Sequence, residues 1–157
     1  MTHQELKEAI KDAMRAKDAV KLSVLRGISA AATNELVSKT RKPDEMLSDD
    51  EIMTLIIRAS KQRKDSIEQF EKGGREDLVA SEKAELAVIE TMLPAQMSRD
   101  EIVAAAKEKA ASLGITDLPT GQAGKTKANQ LMGMLMKDLK GKADGTVVKE
   151  VVDGLFN

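Results

Sequence analysis

The sequence predicts an all-α fold, with an N-terminal four-helix domain over residues 1–96 and a smaller three-helix domain over residues 97–157. Three observations carry this. Apolar residues recur at helical spacing along nearly the whole chain, the two-residue alternation of a strand is nowhere sustained, and three Ser/Thr-x-x-Glu capping signatures each open a periodic run. A length of 157 residues fits one domain or two small ones, so the division has to come from internal signals.

Thr2 and Glu5 form the first capping box, and Leu6, Ile10, Ala13 and Met14 continue a helix to about Ala16. Asp18 caps a second helix to about Thr40. It sets Leu22, Leu25, Ile28, Ala32 and Leu36 on one side and the small residues Gly27, Ala30, Ala31 and Asn34 on another, a face that lets a further helix come close. RKPDEML reads as a polar loop. Ser48 and Glu51 then open a third helix, whose Asp49 and Asp50 suit the positive end of the helix dipole, and Gly73–Gly74 stops it. Leu86, Ile89 and Leu93 mark a fourth helix that Pro94 ends, because the residue before proline avoids helical geometry.

Ser98 and Glu101 restart the pattern at once, through Ile102, Ala106 and Ala110 to a glycine cap at Gly114. ITDLPTGQAGKT reads as the longest irregular stretch. A sixth helix follows with Ala128, Leu131, Met132, Leu135, Met136 and Leu139 on its apolar stripe, Gly141 ends it, and Asp144 caps a last helix carrying Val147, Val148, Val151, Val152 and Leu155. The proline break at Leu93–Met97, followed immediately by a cap, is the best domain boundary.

Composition excludes several function classes. A net charge of −1 gives no global pull toward nucleic acid or anionic membrane, so such binding needs a local patch. Absence of cysteine removes disulfides, thiolate zinc sites and cysteine nucleophiles together, and suits a reducing cytoplasm. No apolar run approaches a membrane span or a signal-peptide core, so the expectation is a soluble cytoplasmic protein without membrane attachment.

The strongest charge bias lies between Gly121 and Lys142, where Lys125, Lys127, Lys137, Lys140 and Lys142 stand against Asp138 alone. A helix end, a glycine turn and the start of the next helix bring Lys137, Lys140 and Lys142 together beside backbone N–H groups able to meet phosphates. A second basic run holds Arg58, Lys61 and Lys64 as a solvated helix face, while Arg63 falls in line with the apolar stripe and is expected to pair with a carboxylate of a neighbouring helix. Without tryptophan or tyrosine, and with Phe70 and Phe156 assigned to the core, base stacking has no platform; recognition of RNA shape and backbone fits better than sequence reading.

Other candidate chemistry resolves to structure. GQAGKTK lacks the first glycine of a phosphate loop, where Pro119 stands, and no strand precedes it. His3 is the only histidine and reads as an exposed first-turn residue. No metal-ligand cluster, catalytic residue or cofactor site is expected. Met132 and Met136 are assigned to the core and Met134 to the surface.

The segments LRGISAAATNEL, KQRKDSIEQFEKGGREDL, ETMLPAQMSRDEI and MGMLMKDLKGKADGTVVKEVVDGLF together resemble the GatB/YqeY family over essentially the whole chain. The resemblance implies two helical domains, the second similar to the tail of the B subunit of the tRNA-dependent amidotransferase. That enzyme converts misacylated Glu-tRNA or Asp-tRNA to Gln-tRNA or Asn-tRNA with glutamine as ammonia donor. Its glutaminase and phosphorylation sites lie outside the tail, which contacts tRNA, and this chain shows neither active domain. Similar domains are appended to some glutaminyl-tRNA synthetases. Three readings follow: a tRNA-binding accessory beside a synthetase or amidotransferase, a carbon–nitrogen ligase using glutamine as amido donor, and a helical protein–protein adaptor. The lysine cluster favours the first.

Overall fold

The computed structural model describes residues 1–115 and 122–155, which form seven α-helices and, among the described residues, no strand. The chain divides into two compact units, Met1–Leu93 and Pro94–Asn157.

The first unit contains α1 (His3–Arg15), α2 (Ala19–Ser38), α3 (Asp49–Lys72) and α4 (Glu76–Glu90). Thr2 and Ser48 cap α1 and α3, with both halves of each capping box formed, and the Asp18 carboxylate accepts the Lys21 N–H at the start of α2. Gly74, at φ +66°, turns the chain from α3 into α4. α3 pairs with α4, and α2 packs against α1, α3 and α4. The buried centre holds Leu6, Leu25, Ile28, Leu36, Ile52, Ile56 and Ile89, each of which contributes about 1.5–3 kcal/mol when removed from water.

Met14, Phe70 and His3 depart from the periodicity. Met14, assigned to the buried stripe of α1, is 52% exposed, because the apolar cluster is already closed by Leu6 and Ala13. Phe70 is only half-buried; it lies on an open face of α3 with Lys61, Gln62, Ser66 and Gln69. His3 is buried, and its Nδ1 accepts the N–H of Leu47 at 2.9 Å. Helical periodicity cannot foresee a contact made by a loop from another part of the chain, and that contact is what covers His3.

The second unit contains α5 (Arg99–Ser112), α6 (Gln122–Asp138) and α7 (Gly145–Leu155), packed pairwise around Ile102, Ala106, Leu131, Leu135, Val148 and Val152. Ser98 and Glu101 form the third capping box, and Gly114 takes φ +67° at the end of α5. α6 includes Gln122–Thr126, which the sequence reads as loop; Gly124 is buried within the helix there, and a glycine inside a helix looks in sequence like a glycine in a turn. The rest of the expected irregular stretch, residues 116–121, and the core assignment of Phe156 lie outside the described residues.

Candidate nucleic-acid interface

α6 ends in a tight turn whose backbone is well bonded. Leu139 N–H donates to Leu135 O at 2.8 Å, Lys142 N–H to Leu139 O at 2.9 Å, and Gly141 takes φ +77°, a conformation open to glycine at no steric cost. The segment before α5 docks on the same turn: Gln96 Nε2 donates to Gly141 O and Met97 N–H to Lys142 O, each at 2.7 Å. Tied through its carbonyls, the turn carries Lys137, Lys140 and Lys142 with their side chains exposed.

Two carboxylates modify this patch. Asp138, the one acid within the basic stretch, is bonded by Lys109 Nζ of α5 at 2.6 Å, which offsets its charge locally. Lys109 has no sequence signal linking it to the cluster, because the two residues are 29 positions apart and only the α5–α6 packing joins them. Asp144 caps α7 by accepting the Thr146 N–H at 2.9 Å, so part of the backbone donor set expected to meet phosphate already has an anion of its own.

The five lysines do not form one patch. Lys125 and Lys127 are exposed near the start of α6, about 15 Å or more along the helix axis from Lys137 at 1.5 Å per residue, and about 160° from each other around it. Lys137, Lys140 and Lys142 share the turn. In the first unit, Arg58 is 66% exposed and lies 3.6 Å from Glu35, so its charge is partly matched across α2 and α3; Lys61 and Lys64 are exposed on α3. Arg63 sits between Glu85 at 2.7 Å and Glu82 at 3.4 Å, in line with its expected pairing.

The α6–α7 surface also revises the methionines. Met136 is 44% exposed and Met134 half-buried, the reverse of their assignment, because Met136 lies over Gly145 in an open groove of about 300 Å³ shared with Met132, Lys149 and Val152. A glycine at the start of α7 provides the space that a stripe drawn on α6 alone cannot show.

Among the described residues, no group of three or more His, Cys, Asp or Glu side chains could hold a metal ion, and no helix is long and apolar enough to cross a membrane. The imidazole of His3 is engaged by a backbone amide, which leaves it badly placed to act as a general base.

Residues 3–156 match the family described as Yqey-like protein. The chain belongs to the YqeY-like family. Its resemblance to that family, read from four segments, therefore holds over nearly the whole length. A relative from Pyrenophora tritici-repentis is 34% identical over 143 residues, covering 88% of this YqeY-like chain and 71% of the relative. One from Kluyveromyces lactis is 41% identical over 101 residues, covering 62% and 52%. One from Saccharomyces cerevisiae is 40% identical over 85 residues, covering 54% and 44%. The chain thus spans about half the length of these two yeast relatives. All three bear the name altered inheritance of mitochondria protein 41, mitochondrial. That name overturns the cytoplasmic expectation. The expectation rested on missing cysteines and missing apolar segments, and neither separates one reducing aqueous compartment from another.

Proposed function

We propose that this YqeY-like chain is an accessory module that binds tRNA through its second unit, beside an aminoacyl-tRNA synthetase or a tRNA-dependent amidotransferase, without a catalytic centre of its own. The observation that carries the reading is the exposed Lys137–Lys142 turn, within which Asp138 is bonded by Lys109. Three cations on one rigid turn can follow a phosphate backbone, and lysine ammonium groups recognise phosphate as point charges. Gly141 and the bonds from Gln96 and Met97 hold the turn, so little ordering entropy is lost on binding.

A direct test is electrophoretic mobility shift of the full chain with unfractionated tRNA across a salt series. The reading requires affinity that falls with salt and falls further on charge reversal in the turn. Salt-insensitive or absent binding would replace it with the adaptor reading. A specific observation favours that second reading: α2 and α3 enclose an open groove of about 440 Å³ lined by Gly27, Ala31, Asn34, Arg58 and Gln62, the small face from which the sequence expects close helix approach.

A further inference from the structure

His3 is the only histidine in the chain and is 7% exposed. Its Nδ1 accepts the backbone N–H of Leu47 at 2.9 Å, a buried bond between positions 44 residues apart. An imidazole that accepts at Nδ1 carries its hydrogen on Nε2, so the bond itself fixes the neutral tautomer. We propose that His3 is a proton-operated latch: as neutral imidazole it clips the α2–α3 connection to the start of α1, and as imidazolium it releases it.

Protonation would place a hydrogen on Nδ1 facing the Leu47 N–H, turning an acceptor–donor pair at 2.9 Å into two opposed donors. Leu47 is 4% exposed and belongs to the same apolar cluster as Leu6, so the backbone released is the one that carries a core side chain inward. Burial and the nearby Lys7 ammonium hold the His3 imidazole below its ordinary value, which moves the release to lower pH than for a free imidazole.

Neighbouring charges come from α1, from the α2–α3 connection and from α3. On the α1 side stand Lys7, whose Nζ reaches Met46 Sδ at 3.6 Å, and the Met1 ammonium, 3.9 Å from Glu5. The connection supplies Arg41, which donates to Met46 O at 2.6 Å, and Glu45, bonded to Arg41; α3 supplies Glu51, bonded to Ser48. Hydrogen bonds hold the Glu45 carboxylate below its usual range and Glu51 at about 2, so both stay ionised while the imidazole takes its proton.

The test is amide hydrogen exchange at Leu47 between pH 8 and pH 5, corrected for intrinsic rates, alongside imidazole nitrogen NMR, which a single histidine makes unambiguous. The expected result is an Nε2–H tautomer at pH 8, a midpoint below 6.5, and a loss of Leu47 protection of roughly two- to tenfold on acidification, the span set by the net worth of one hydrogen bond. His3→Asn offers an acceptor that does not titrate, and should keep Leu47 protected at both pH values; His3→Leu should lack the protection at both. An Nδ1–H tautomer, unchanged protection in the wild type, or the same acid loss in His3→Asn would overturn the latch. If His3→Leu fails to fold, the wild-type titration and His3→Asn still decide it.

Discussion

Arg63 of α3 reaches Glu85 of α4 across 2.7 Å, with both side chains largely shielded from solvent at 29% and 20% exposure. Glu82 lies on the other guanidinium nitrogen at 3.4 Å, so two carboxylates share one cation inside the α3–α4 pairing. Removing the arginine leaves two half-buried like charges facing each other. Arg63→Met is expected to lower stability by about 1–3 kcal/mol, read from a chemical denaturation midpoint at neutral pH. The triple change Arg63→Met/Glu82→Gln/Glu85→Leu should recover most of that loss, because an uncharged replacement has no charge left to desolvate. A single mutant as stable as the wild type would show that the triad is solvated in practice.

Gly27 and Gly74 should respond to alanine with opposite signs. At neither position would an added Cβ find another atom within 4 Å, so packing does not distinguish them. Gly27 lies within α2, where alanine is favoured by about 0.5–1 kcal/mol, whereas Gly74 has φ +66°, where a Cβ is disfavoured by about 1 kcal/mol. Thermal melts of the two variants should therefore move in opposite directions. A destabilised Gly27→Ala would sink the assignment of that glycine to open helix surface.

Glu51 gives the chain an acid-dependent tie. Its carboxylate bonds Lys39 at 2.7 Å and the Ser48 N–H at 2.7 Å, and these partners hold it at about 2, below the ordinary 4.5. A carboxylate with a depressed folded-state value adds stability that is complete above 4.5 and is lost as the pH falls toward 2. Glu51→Gln should melt below the wild type at pH 7, and the gap should close as the pH approaches 2. A gap independent of pH would assign the effect to packing.

The latch acts in a different window with its own sign. For His3 the neutral form is the one the fold prefers, so its contribution is complete above about 6.5 and declines as the pH falls toward the lowered folded value. His3→Asn should flatten the stability profile between pH 7 and pH 5 and leave the Glu51-dependent region unchanged. Differential scanning fluorimetry over that range separates the two.

For RNA, reversing Lys137 and Lys142 to glutamate should weaken tRNA binding and reduce the salt slope by roughly one unit or less per lost contact. Reversing Lys7 and Lys11 on α1 is the matched control and should do much less. Lys125→Glu/Lys127→Glu reports on a separate position about 15 Å or more away along α6, so an equal effect there would mean that the RNA spans both ends of the helix. Circular dichroism of each variant should be unchanged.

Local physics makes the helices legible. Thr2, Ser48 and Ser98 each have their glutamate three positions on, a distance set by the helix turn itself, and all three boxes form. Gly74, Gly114 and Gly141 end their helices in the left-handed conformation for the same local reason. Arg63 is readable too, since a cation in line with an apolar stripe needs a carboxylate from whatever packs there.

What the sequence by itself determined, then, is the all-helical class, the capped starts of α1, α3 and α5 and the membership of one family, because each rests on interactions within a few residues or on a pattern spread over the whole chain. Tertiary structure alone decided that His3 is spent on Leu47, that Asp138 is held by Lys109, and that Met136 rather than Met134 is exposed. Each depends on partners dozens of residues away or on the space left by a neighbouring helix, and helical spacing fixes only which residues share a face, not what comes to cover it.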